Sequence, residues 1–385
     1  MTSRSVSLSV PSSAPLNIVH VVESLDVGGL ERVVLSLVAW QIQQGHRSRI
    51  VCLFHEGALA AQARASGIEV VAVGKHVGFD LRALRLLRSE LSRGQPDVVH
   101  THNAVTHYYA ALARVGLSSV RFINTRHGMG SLHGSTRLDR LYRVALLGTH
   151  AAVSVCRAVQ ERFVATGVIP ASKAAVVANG VPMEKIALRN MAAKERLMVE
   201  LGRPTGAMVL GTVGRLSPVK DHDNLLHALR LLKDAGRSVE LVIVGDGETR
   251  VGLEALAQTL GVRDHVHFLG MRQDVAALLS AFDVFVLSSI SEGYSLALVE
   301  AAAAGLPIVA TQVGGNADIV HADLGDESNG ILVPAKDSAA LAAAVARLAG
   351  DDALRERMGL AGRAWALKHG TVDAMGRAYG LLYRK

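Results

Sequence analysis

The sequence predicts an α/β protein built as two Rossmann-like parallel-sheet domains, and three observations carry that prediction. Apolar runs of strand length, such as NIVHVV at 17–22 and LVIV at 241–244, alternate with longer segments of helical spacing. That is the pattern of parallel sheets covered on both faces. The alternation starts twice, each time as strand, glycine-containing loop and helix: once at residue 17 and again with MVLGTV at residue 208. At 385 residues, half of them hydrophobic, the chain is long enough to give each half its own core.

Composition narrows the function. The first fifteen residues are rich in Ser and Pro and lack a long apolar core, so 1–15 reads as a disordered lead rather than a signal peptide. No apolar run reaches the length of a membrane span. Cys52 and Cys156 each sit in an apolar strand-like run, where a buried free thiol is expected, and a reducing cytoplasm fits. The net charge of +7 is uneven: residues 1–185 hold 20 Lys/Arg against 11 Asp/Glu, or +9, and the rest hold 21 against 23, or −2. Nucleic acid is disfavoured, because only 4% of residues are aromatic and no nucleic-acid module or basic tail is present. A diphosphate-linked acceptor, or an anionic membrane on whose inner face the protein would sit peripherally, suits the basic half better.

The first domain is expected over 16–185. After the strand at 17–22, Gly28 and Gly29 free the backbone at a helix start, and Glu31 and Arg32 lie on its first turn, where Arg32 can reach an anion. The loop does not fit G-x-G-x-x-G, which argues against a nicotinamide cofactor. Strands follow at 48–54 and 70–73. FDLRALRLLRSELSR (79–93) is an amphipathic helix carrying Arg82, Arg85, Arg88 and Arg93, and its commoner meaning is a core helix with a solvated edge, its sharper one a helix on anionic lipid. The strand from Asp97 ends in HTHN and places His102 and Asn103 at the C-terminal sheet edge, where α/β ligands bind. Phe122 to Thr125 ends in RHG and places His127 at the same edge. Gly128, Gly130 and Gly134 then suggest a loop that closes over an acceptor. A basic amphipathic helix at 137–147 and strands at 150–156 and 174–181 complete this half.

Residues 186–204 are the expected linker, 205–366 the second domain and 367–385 a terminal helix. In the loop after MVLGTV, Arg215 and Lys220 stand five apart, so both cations can converge on one diphosphate. Asp221 and Asp223 resemble a metal-binding pair, but acids at that position are what a helix N-terminus favours, and no metal is expected.

The segment FVLSSISEGYSLALVEAAAAGLPIVATQVGG (285–315) organises the second half. It reads as a strand at 284–287, a loop with Glu292 and Gly293, a helix over 294–304 carrying Glu300, and a strand from Ile308. The free N–H groups of Tyr294, Ser295 and Leu296 favour a diphosphate, and the two carboxylates are good acceptors for sugar or ribose hydroxyls.

This segment, with two glutamates separated by seven residues, resembles the donor-site signature of retaining family-4 glycosyltransferases, and the resemblance extends over nearly all of the chain. It implies a GT-B architecture and retaining transfer from a UDP- or GDP-sugar without a metal or other cofactor. By it, the acceptor would lie on the first domain beside the GG-L-E-R loop. Glu292 would hold sugar hydroxyls, Glu300 the ribose, and Arg215 and Lys220 the departing diphosphate. His127 would approach the sugar by its carbonyl or ring, while the segments of Gly245 and of His267 and Phe268 would bracket the base, with backbone groups after the second strand reading its edge. The terminal helix is expected to cross back to the first domain. The GG-L-E-R loop and basic helices are similar to those of members that assemble exopolysaccharide or lipid-linked glycans. Two rivals stay open: a sugar-nucleotide hydrolase or epimerase on the same architecture, and a non-catalytic sugar-nucleotide-binding protein.

Overall fold

The computed structural model describes residues 14–117, 120–129, 136–322 and 324–385. Most of the expected lead, Gly130 and Gly134 lie outside them. Contacts divide the chain into two compact units, residues 1–124 with 148–150 and residues 125–147 with 151–385.

The first unit runs β1 (Asn17–Val22), α1 (Gly29–Gln43), β2 (Arg47–Cys52), α2 (Ala60–Ala65), β3 (Glu69–Ala72), α3 (Leu81–Ser92), β4 (Val98–His102) and α4 (Ala104–Ala113) into β5 (Arg121–Arg126). β1 pairs in parallel with β2 and with β4, and β2 pairs in parallel with β3. Successive side chains of β1 serve opposite cores. Val22 packs with Val34 and Val38 of α1 and with Ile50 and Cys52, while Val19 and Val21 pack with Leu87 and Leu91 of α3 and Tyr109 of α4. Cys52 and Cys156 are both buried free thiols, as their apolar settings predict.

The second unit continues with α5 (Thr136–Leu146), β6 (Ala151–Ser154), α6 (Arg157–Ala165), β7 (Ala174–Val176) and α7 (Met191–Glu200). Then come β8 (Met208–Val213), α8 (His222–Asp234), β9 (Val239–Val244), α9 (Arg250–Thr259), β10 (Val266–Gly270), α10 (Val275–Leu279) and β11 (Val284–Leu287). The chain ends through α11 (Leu296–Ala303), β12 (Ile308–Thr311), α12 (Asn316–Ile319), β13 (Gly330–Val333), α13 (Ser338–Ala349), α14 (Asp352–His369) and α15 (Val372–Arg384).

The strands form two sheets, ordered β3-β2-β1-β4-β5-β6-β7 and β10-β9-β8-β11-β12-β13. In each, the strand order reverses beside the first strand, between β1 and β4 and between β8 and β11. Ligands of open α/β sheets bind in the crevice at such a reversal. The loops that leave those four strands are the GG loop, His102-Asn103, Gly214–Lys220 and Ser288–Gly293.

The stretch expected as linker contains α7, whose Asn190 caps it by accepting from the Ala193 amide. Buried Asp283, just before β11, fastens this helix by accepting from Lys194 Nζ at 2.6 Å, Arg189 Nη2 at 2.6 Å and the Val209 amide at 2.9 Å. α14 runs past residue 366 to His369, and Thr371 caps α15. α15 lies on the end of β5 and the segment after β7: Tyr379 Oη meets Thr125 Oγ1 at 2.9 Å, and Val181 bridges Thr371.

Candidate functional site

In the second unit, the loops after β8 and β11 are sewn together. The Ile290 amide donates to Val219 O at 2.9 Å, and Ser288 Oγ to Lys220 O at 2.9 Å. This brings Lys220 Nζ to 2.5 Å from Glu292 Oε1, an oxygen that also accepts from Ser289 Oγ at 2.6 Å. Both charged side chains are largely sheltered, with 21% and 10% of their surface exposed, so the pair is held in a medium where attraction is stronger than in water. Lys220 was expected on a diphosphate and Glu292 on a sugar. The structure shows the two partnered with each other, with Ser289 as a third member.

Glu292 is aimed by two close backbone approaches. Gly314 has φ +51°, and a Cβ there would overlap Glu292 O; a Cβ on Gly293 would overlap the carbonyl of His127. Only glycine permits these approaches. The result is that His127 O lies beside the Glu292-Gly293 loop. The His127 ring is desolvated and its pKa is lowered to about 3, so the imidazole is neutral at physiological pH.

The helix of this segment is shorter than expected, beginning at Leu296 rather than Tyr294, with Ser295 as an extended N-cap. The amides of Tyr294 and Ser295 therefore belong to the loop, and the helix's own unsatisfied donors begin at Leu296. Tyr294 and Ser295 are buried, and Leu296 and Glu300 are half-buried. Burial pushes the Tyr294 phenol well above its ordinary value.

Arg215 is exposed and has no ion-pair partner among the described residues, so it stands ready for a ligand charge. Gly245 lies against Gly214 of the Arg215 loop, and its amide donates to Gly270 O at 2.8 Å. The side chains of His267 and Phe268 are otherwise engaged. His267 Nε2 meets buried Glu240 Oε2 at 2.7 Å, and the Phe268 ring lies under the Arg250 and Arg263 guanidinium groups. Asp221 adopts φ +48° at the start of α8, and desolvation raises its carboxyl pKa.

In the first unit, Gly28 is the extended N-cap of α1 and Gly29 its first residue; the Glu31 carboxylate folds back over Gly28, and Arg32 is exposed. His102 is buried. His20 Nε2 meets Gln41 Oε1 at 2.9 Å, which fixes the proton there, and His20 Nδ1 meets His102 Nε2 at 3.1 Å. Asn103 holds φ +68°, and its carbonyl accepts from Asn124 Nδ2 at 2.9 Å. Sequence reasoning missed Ser288 and Ser289, which read there only as turn formers, and the His20–Gln41 support of His102.

Two parallel sheets with reversal-point loops, two of which gather Lys220, Glu292 and Ser289 ahead of a helix start, define a two-sheet Rossmann-like α/β protein with a charged crevice site. The comparisons name the family. Residues 193–365 match the model of Glycosyl transferases group 1, and residues 27–185 that of Glycosyltransferase Family 4. The chain belongs to the group 1, family-4 glycosyltransferases and is a glycosyltransferase acting on nucleotide sugars. It is 27% identical over 315 residues to a putative glycosyltransferase, EpsF, of Bacillus subtilis, covering 77% of this chain and 79% of that one. It is 29% identical over 286 residues to the UDP-Gal:alpha-D-GlcNAc-diphosphoundecaprenol alpha-1,3-galactosyltransferase of Escherichia coli, covering 71% and 72%. The fold matches Anabaena HepE in complex with UDP with a TM-score of 0.84 at 21% identity, over 95% of this chain and 99% of that one. The architecture is GT-B, as expected. Among the described residues no helix is long and apolar enough to cross a membrane.

Proposed function

We propose that this glycosyltransferase is retaining and moves a sugar from a UDP- or GDP-linked donor to a lipid-linked glycan, without a metal. The observation that carries the reading is the Lys220–Glu292–Ser289 group beside the His127 carbonyl, with Arg215 exposed on the same loop as Lys220. Two cations neutralise a diphosphate dianion as it leaves, the service a metal gives elsewhere. Glu292 and His127 O present acceptors to sugar hydroxyls, and Glu300 on α11 presents one to a ribose.

In the proposed step the acceptor hydroxyl oxygen bonds to the anomeric carbon on the face from which the diphosphate departs. The bond from that carbon to the phosphate oxygen breaks, and this oxygen takes the hydroxyl proton. No enzyme carboxylate becomes glycosylated, so a trapped glycosyl-enzyme would overturn the step. The lipid-linked acceptor is supported by the Escherichia coli relative, which acts on a diphosphoundecaprenol substrate, and by the basic first half.

The test is binding of UDP-, GDP- and ADP-sugars with and without EDTA, alongside Lys220→Ala and Glu300→Ala. Tight binding of one nucleotide that survives EDTA and weakens in both variants is the expected result. Binding that needs a divalent ion, or that the variants leave unchanged, overturns the donor-site reading.

A further inference from the structure

Between β3 and α3 the chain displays apolar side chains on a loop that is braced rather than slack. Lys75 Nζ donates to His76 O at 2.7 Å and to Gly78 O at 2.9 Å, and its ammonium sits 4.9 Å above the Tyr109 ring. Tyr109 Oη donates to Gly78 O at 3.1 Å and accepts from the Asp80 amide at 3.1 Å, while Asp80 Oδ2 accepts from the His76 amide at 3.0 Å. These bonds fix the loop in a form that leaves Val77 103% exposed, Phe79 70% and Leu81 49%. Three large apolar residues within five positions stand in water although the loop's polar groups are satisfied. A monomer gains nothing from that arrangement, so it marks an interaction surface.

The charge around it identifies the partner. Arg82 and Arg85, on the first turns of α3, are exposed and have no ion-pair partner among the described residues. The acids of the neighbourhood are used elsewhere: Asp80 caps α3 at the Ala83 amide, and Glu90 is paired with Arg49 and Arg93. Arg88 is turned to the carbonyls of Ala113 and Val115, which places exposed Val115, at 67%, on the flank of the same helix. An apolar tip beside uncompensated arginines complements an anionic lipid surface, with the apolar groups entering among the acyl chains and the guanidinium groups at the headgroups.

We propose that the Val77–Phe79–Leu81 tip with Arg82 and Arg85 is a wedge that docks the first unit on an anionic bilayer. The proposal extends the lipid-linked acceptor reading, but binding is measured without donor or acceptor, so the two fail separately. The experiment is co-sedimentation of the full chain with vesicles of phosphatidylethanolamine and phosphatidylglycerol and with vesicles of phosphatidylcholine alone.

Wild-type protein is expected on the anionic vesicles only. Val77→Ser with Phe79→Ser should weaken binding about tenfold or more. Arg82→Gln and Arg85→Gln should each weaken it about fivefold and reduce its salt sensitivity. Val251→Ser, which removes an exposed apolar residue of the other unit, should change nothing. All five positions are exposed, so folding is preserved. Equal binding to both vesicle types, no binding, or unchanged binding by the serine variant overturns the proposal. So does a wild-type dimer that the serine variant dissociates, which would give the surface to a second copy of the chain.

Discussion

Lys220 and Glu292 neutralise each other at 2.5 Å, so on the proposed donor site a diphosphate engaging Lys220 would take it from a carboxylate and leave that carboxylate to the sugar. Lys220→Ala removes a charge-assisted bond to the donor, and its dissociation constant should rise about ten- to hundredfold in calorimetric titration. Ser289→Ala removes only the bond that aims Glu292. Its expected signature is a fall in kcat with KM nearly unchanged, and equal changes in both would make Ser289 merely structural. Sequence alone supplied Lys220 and Glu292 but not their pairing, because they lie 72 residues apart and spacing carries no information across loops. Ser289 was invisible for a plainer reason, since a serine between a strand and a helix is ordinary turn chemistry. His267 shows another limit of pattern: its ring meets Glu240, which nothing in HVHFLG reveals.

Among the elements, α7 depends on one buried carboxylate. Burial pushes the Asp283 pKa up, but Lys194, the Val209 amide and Arg189 outweigh it, and the group lies below the ordinary carboxyl range. Asp283→Ala leaves Lys194 buried without its partner and should cost about 3–5 kcal/mol, read as a lower urea midpoint at unchanged slope. Double replacement with Lys194→Met should recover part of that loss. Strand and helix order was legible because apolar runs and amphipathic spacing agree with the sheet at nearly every step. The start of α11 was placed two residues early because Tyr294 and Ser295 are apolar-flanked and buried, so burial imitates helix there. α7 was read as linker because its segment is charged and carries little amphipathic signal; tertiary ion pairs hold it instead.

For the molecule as a whole, desolvation lowers the pKa of His20 and His222 to about 4 and that of His127 to about 3, so these imidazoles are neutral at physiological pH. An unfolded histidine takes its proton near 6.5, so the unfolded chain binds more protons than the native one below that pH. The stability that these groups contribute is present above about 6.5 and drains away as pH falls toward about 4. Thermal midpoints should drop through that window with net proton uptake on unfolding. His222→Asn should flatten the slope, since the Nδ1 of His222 is buried with no hydrogen-bond partner among the described residues. A pH-independent midpoint over the same window would contradict the neutral assignment. The double start at residues 17 and 208 made the two-sheet plan readable from sequence, because each sheet needs its own first strand and glycine loop.

The bond between Thr125 and Tyr379 spans 254 positions of the chain. A ribosome adding roughly 5–20 residues each second needs about ten to fifty seconds to make that interval. Throughout it the end of β5, and from Val181 onward the segment after β7, wait with their covering helix unwritten. The unit that holds the Lys220–Glu292 pair therefore cannot be complete before the last residues of α15 are made. A chain interrupted late would carry every candidate site residue and still present an open seam to chaperones and proteases.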